Sequence, residues 1–110
     1  MGKPIDVGAD DFDVEVLQCT DRPVLVDFWS ETCGHCLALN PQYDQAAETK
    51  ADEVKFVKVS FQQCRDLFGE YGVRATPTLV LFRDGEEIAR TVGAKRADDL
   101  NAWIDESLGD

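Results

Sequence analysis

Cys33-Gly34-His35-Cys36, with the apolar run Pro23-Val24-Leu25-Val26-Asp27-Phe28-Trp29 just before it, is the stretch on which the fold turns. The run has the length and branched side chains of a buried strand, and a helical pattern begins at the cysteines. The pair therefore stands at a strand-to-helix junction, where unpaired backbone N–H groups and the positive end of the helix dipole favour a thiolate. Two cysteines three apart at that place can share one disulfide while only the first is reactive. A free thiol of pKa near 8.5 is ~3% ionised at pH 7, against ~90% for one lowered to about 6, a gain of roughly thirtyfold. Part of that gain is lost again, because a less basic thiolate is a weaker nucleophile.

Working outward, Phe12, Val16 and Cys19 recur at i, i+4 and i+7, which predicts a short amphipathic helix over 10–19 capped by Asp10 or Asp11. The helix that starts near Cys33 should run to about Lys50, with a kink where Pro41 deprives the Leu37 carbonyl of its bond. Residues 54–59 alternate as a strand, and Cys64, Leu67, Phe68 and Tyr71 share one face of a third helix. Strands at 78–82 and 87–92 flank Asp84-Gly85, a strong hairpin signal. A last helix turns Leu100, Trp103, Ile104 and Leu108 inward, and a short first strand is expected near Ile5–Val7. Alternation followed by a hairpin predicts an α/β fold, a central mixed β-sheet flanked by helices on both faces. Repeats, low-complexity tracts and linkers are absent from the sequence, so residues 1–110 read as a single domain.

Twenty-two acidic and 11 basic side chains give a net charge of −11, which repels nucleic-acid phosphates and anionic lipid headgroups. Nucleic acid and membrane are thus not expected as partners. The acidic surface reads as solubilising or, alternatively, as a docking face for a basic partner. Met1–Val7 has no apolar signal core, and no run approaches the ~18 residues of a membrane span, so a cytoplasmic location is expected. The four cysteines, Cys19, Cys33, Cys36 and Cys64, could form a disulfide framework, but their positions and an apolar content of 44% argue for an ordinary core instead. A Cys-x-x-Cys pair in an α/β setting reads as a redox dithiol or as half of a zinc site. Zinc needs a second ligand pair, whereas Cys19 and Cys64 are isolated and His35 lies between the two cysteines.

Trp29 to Cys36, the strand residue Asp27, Pro41, the Thr76-Pro77-Thr78 turn and Gly93 together resemble the thioredoxin family over nearly the whole chain. The resemblance implies a thioredoxin fold, a nucleophilic Cys33, a resolving Cys36 and a cis peptide before Pro77. It further implies client contacts around Trp29, Gly34, Ala75, Thr76, Pro77 and Gly93. By itself a Thr-Pro before a strand is usually trans, cis occurring in about 5–6% of such bonds. Asp27, by itself, could equally be a side chain reaching water at a strand end. The resemblance makes it a buried general base for Cys36, with a pKa raised by desolvation, and makes Lys58 the lysine that approaches it.

The implied activity is protein dithiol–disulfide exchange, with no cofactor or metal beyond the Cys33–Cys36 disulfide. Client proteins containing disulfides and a thioredoxin reductase or similar donor are the implied partners, since the chain has no nucleotide-binding glycine loop. A monomer is expected. Alternatives are a disulfide oxidase or isomerase, and a thioredoxin-fold binding module whose dithiol is incidental. Three positions depart from the family pattern: His35 stands where thioredoxins usually carry proline, Thr32 where they carry tryptophan, and Leu37 where they carry lysine. His35 resembles the catalytic domains of protein disulfide isomerase, where an imidazole favouring the Cys33 thiolate would make the disulfide more oxidising. Cys19 and Cys64 are read as buried and inert, although animal thioredoxins carry a regulatory cysteine matching Cys64.

Overall fold

The computed structural model describes residues 2–109. Its elements run β1 (Ile5–Asp6), a π turn (Asp13–Leu17), β2 (Val24–Trp29), α1 (Gly34–Lys50), β3 (Lys55–Ser60), α2 (Arg65–Glu70), β4 (Thr78–Arg83), β5 (Glu86–Val92) and α3 (Ala97–Leu108). The strands form one sheet in the order β1-β3-β2-β4-β5. β3 pairs in parallel with β1 and β2, whereas β4 is antiparallel to β2 and β5, so the sheet is mixed and β2 lies at its centre. Central placement explains why β2 is apolar on both faces.

Side chains alternate across a strand, and β2 consequently feeds two separate cores. Val24, Val26 and Phe28 pack with Phe12 and Val16 and with Leu67 and Phe68 of α2. Leu25 packs on the opposite face with Leu39, Tyr43 and Ala46 of α1 and Leu100 and Ile104 of α3. The first core is rich in aromatic pairs, Phe28 and Phe68 meeting edge to face at 5.2 Å between ring centres. Asp27 falls, by the same alternation, on the α1 face.

The two helices on that face are locked together by polar contacts. Lys50 at the end of α1 reaches Asp105 of α3 at 2.6 Å, and Gln42 of α1 accepts the first N–H of α3, from Ala97, at 2.8 Å. Gln42 thereby satisfies a helix start at which Arg96 offers no side-chain cap. α1 continues through Pro41 to Lys50.

Three local expectations are corrected. The helix expected over 10–19 is a single wide turn, closed by the Gln18 N–H on the Asp13 carbonyl at 2.8 Å, five residues back. Phe12 holds the cap position with helical backbone angles, and neither Asp10 nor Asp11 caps with its side chain. One turn suffices to bury Phe12 and Val16, so their spacing could not distinguish α from π winding. Cys19 lies beyond the turn, half-buried, with its thiol donating to Asp21 at 3.1 Å. Cys64, as expected, is buried in one core with Leu67 and Phe68, from the N-cap position just before α2, where its side chain makes no capping bond.

The β4–β5 turn is tight. Asp84 and Gly85 both have positive φ, 53° and 81°, the pairing that matches strand twist in two-residue hairpins. Leu81 pairs with Ala89 but Phe82 with Glu87, leaving Ile88 as the extra residue of a bulge. A Cβ on Gly85 would also stand 2.7 Å from the Leu17 carbonyl oxygen. Gly85→Ala is therefore expected to destabilise by about 1–3 kcal/mol through backbone strain. Gly69→Ala, in open space inside α2, should stabilise by about 0.4–1 kcal/mol. Urea unfolding of both variants checks the pair, and equal shifts would contradict the strain assigned to Gly85.

Candidate functional site

Cys33 closes the short loop after β2 and occupies the N-cap of α1, with extended backbone angles of −101° and 115°. A helix begins there because the cap residue turns its side chain back onto the first orphan amides. Here the acceptor is sulfur, the Cys36 N–H pointing at Cys33 Sγ across 3.1 Å. From the other side, the Cys33 thiol donates to the Thr76 carbonyl at 3.3 Å. Thr76-Pro77 is the cis peptide bond of the chain's described residues. Thr78 Oγ1 donates to the Ala75 carbonyl, and the Gly93 N–H donates to the Pro77 carbonyl at 2.9 Å, so residues 75–78 are held against the dithiol. Gly93 has φ of 104°, the left-handed range that favours glycine.

The two thiols are unequal. Cys33 is half-buried and Cys36 has no exposed surface, and both are free. Partial burial opposes ionisation of Cys33. Hydrogen bonds from the Cys36 and Thr76 side chains and from the Cys36 and His35 backbone amides outweigh it, holding the pKa below the usual thiol value. The Cys36 N–H at the helix start is one of these donors, 3.1 Å from the sulfur. Burial, followed by the hydrogen bond with Cys33, pushes Cys36 up to about 11.

Asp27 stands in the middle of β2 between Lys58 of β3 and Leu79 of β4. It has no exposed surface, and neither carboxyl oxygen has a hydrogen-bond partner among the described residues. Burial pushes its pKa up to about 7, against a smaller pull downward from the Lys58 ammonium. Lys58 is half-buried, donates to Asn40 Oδ1 of α1 at 2.9 Å and lies 4.6 Å from the centre of the Trp29 ring. Tyr43 lies on the same face. Its hydroxyl is 2.8 Å from the Val57 carbonyl and 3.0 Å from that of Leu25, tying α1 to β3 and β2.

The structure thus brings together Cys33, Cys36, Thr76, Pro77 and Gly93, and sets Asp27, Lys58 and Trp29 side by side along the sheet. Gly34 and His35 lie exposed on the first turn of α1, and Thr32 and Leu37 are exposed around the same rim. Among the described residues no metal-binding group of three or more His, Cys, Asp or Glu forms. Sequence reading missed Asn40, Ser30 and Gln62. Asn40 is four residues after Cys36 and so on its helical face, a usable signal. Gln62 receives the Glu31 N–H at 3.1 Å and donates to Ser30 Oγ at 3.0 Å, lacing the dithiol loop to the loop after β3 across a sequence gap that carries no signal.

Comparison with known proteins agrees with this fold. The thioredoxin family model matches residues 3–106. A thioredoxin of Rickettsia felis is 38% identical over 97 residues, covering 88% of this chain and 91% of its own. Thioredoxin C-2 of Corynebacterium nephridii is 38% identical over 99 residues, covering 90% and 91%. A solved structure of Malassezia sympodialis thioredoxin superposes with a TM-score of 0.85 at 31% identity, covering 97% of this chain and 92% of that one. The chain belongs to the thioredoxin family of protein-disulfide oxidoreductases.

Proposed function

We propose that Cys33 is the attacking thiol, Cys36 the resolving thiol and Asp27 the base that serves Cys36, in a chain that reduces the disulfides of client proteins. The observation that supports this most is the asymmetry at the cap, an amide donor on the accessible sulfur and none of the other sulfur exposed. The Cys33 thiolate attacks one sulfur of the client disulfide; that S–S bond breaks, a mixed disulfide forms, and the released client thiolate takes up a proton. Cys36 then loses its proton to Asp27, directly or through one water, and attacks Cys33 Sγ. The mixed disulfide breaks, the second client thiolate leaves and is protonated, and a Cys33–Cys36 disulfide remains. The client has gained two electrons and two protons, which a separate dithiol reductase restores to this chain.

Thioredoxins work without a bound cofactor, the dithiol itself being the redox centre. Trp29, Gly34, Ala75, Thr76, Pro77 and Gly93 would contact the client's extended backbone, and Lys58 would hold the charge balance around Asp27. Among the described residues no helix is long and apolar enough to cross a membrane. We place the activity in the cytoplasm, as a monomer acting on disulfide clients.

With Cys36→Ser, a client disulfide should become trapped on Cys33 as a stable mixed disulfide, visible by mass. Equal trapping through Cys36 in Cys33→Ser would reverse the two roles.

Asp27 links activity and stability through pH. Its folded value of about 7 exceeds the unfolded ~3.9, so between them the folded chain binds more protons and stability falls as pH rises. Above pH 7 the accumulated loss is on the order of 4 kcal/mol at ~1.4 kcal/mol per unit. Asp27→Asn should therefore be more stable than its parent at pH 8 and nearly equal to it at pH 4, as read by urea unfolding. The same variant should release the mixed disulfide more slowly at pH 8 while forming it at the parental rate. Unchanged release would remove the base from the mechanism.

The His35 backbone N–H, which lowers the Cys33 pKa, supports a second reading, oxidase or isomerase, because stabilising the Cys33 thiolate stabilises the reduced form. His35→Pro removes both the imidazole and a backbone N–H that acts on Cys33, whereas His35→Ala removes only the imidazole. Both should shift the reduction potential downward, proline further, by some tens of millivolts, 30 mV being ~1.4 kcal/mol. Glutathione equilibration reads the shift. A parental potential near the about −270 mV of thioredoxin assigns reduction, one near the about −180 mV of protein disulfide isomerase assigns oxidation.

A further inference from the structure

Beside the dithiol, on the side away from Asp27, lies a groove of about 250 Å³ walled by Ser30, Phe61, Phe68, Val73, Arg74 and Thr76. Thr76 is shared with the catalytic centre, its carbonyl standing 3.3 Å from Cys33 Sγ. Because Thr76 both contacts Cys33 Sγ and walls the groove, a polypeptide joined to Cys33 through a mixed disulfide lies next to this opening. In extended form, a residue two places from the client cysteine lies about 7 Å along the chain, within reach of the groove. The floor is apolar, Phe68 and Val73 buried and Phe61 half-buried.

Charge at the rim runs against the charge of the whole. The chain carries 22 acidic against 11 basic side chains, and three of its arginines are engaged: Arg22 with the Ala51 carbonyl, Arg83 with the Leu108 carbonyl and Arg90 with Glu87. Arg74 is exposed at the groove and makes no hydrogen bond or ion pair among the described residues. Arg65, also exposed and without an ion pair among them, lies over the Phe61 ring at 5.0 Å. Glu31, the acidic residue of the dithiol loop, lines the neighbouring hollow with Trp29 and Lys58 instead. Two unpaired guanidinium groups beside an apolar floor, in a chain of net charge −11, complement a ligand that carries both an apolar side chain and a carboxylate.

We propose that this groove selects client segments with an apolar residue and an Asp or Glu within about two residues of the disulfide cysteine, Arg74 pairing with the carboxylate. The selection rests on Cys33 being the attacking thiol, since that bond sets which part of the client reaches the groove. The overall charge repels acidic clients at long range, so Arg74 acts on the choice among bound segments rather than on encounter.

The test uses two disulfide peptides identical except for Glu or Lys next to a leucine beside the cysteine, with kcat/KM measured for the full chain at physiological salt. The parent should prefer the Glu peptide by roughly threefold, the scale of one solvent-exposed ion pair. Arg74→Glu should reverse that order, and Arg74→Gln should abolish it. Equal rates in the parent, or a preference that survives in Arg74→Glu, would overturn the selection while leaving the oxidoreductase chemistry intact. Failure to reduce either peptide or 2-hydroxyethyl disulfide would instead remove the dithiol reading, and the selection with it. If sedimentation shows a dimer that Arg74→Glu dissociates, the groove belongs to a second copy and the proposal is wrong.

Discussion

The 3.1 Å contact between the Cys36 N–H and Cys33 Sγ does two jobs with one donor. It satisfies an amide that the start of α1 would otherwise leave unpaired, and it lowers the proton affinity of the sulfur that accepts it. An acceptor that becomes charged strengthens such a bond from about 0.5–1.5 to about 1.5–3 kcal/mol, so helix start and thiolate support each other. β2 delivers the loop, Gln62 and Ser30 fasten it, and the Thr76 carbonyl holds the sulfur from the opposite side. Cys36, one turn inside the helix, is left in the core, where burial keeps its proton on.

Asp27 is the cost of that arrangement. A carboxyl group with no exposed surface and no hydrogen-bond partner among the described residues, at the centre of a sheet, works against folding at neutral pH. It is tolerated because two apolar cores close over β2, one per face, and because Tyr43 and the Lys50–Asp105 contact tie α1 to the sheet and to α3. Local rules broken at one place and compensated elsewhere are what a functional site in a folded chain looks like. Lys58, shared between Asn40 and the Trp29 ring, moderates the local charge without forming a direct ion pair among the described residues.

The sequence alone determined the alternation of strands and helices, the hairpin at Asp84-Gly85 and the setting of Cys33 and Cys36 at a helix start. These are local properties: apolar periodicity, turn chemistry and cysteine spacing act over a few residues and are written where they act. The family resemblance added Asp27 and the cis bond before Pro77, which no local propensity favours. Tertiary structure decided the rest. Residues 13–17 wind as a π turn, which the spacing of Phe12 and Val16 could not reveal, since either winding presents both to the core. Cys19 is half-buried rather than buried because the turn ends at Leu17, two residues before it. Gln62 and Arg74 reach the site from loops outside β2 and α1, and only folding sets them near the dithiol, where long-range contacts leave no mark in a single sequence.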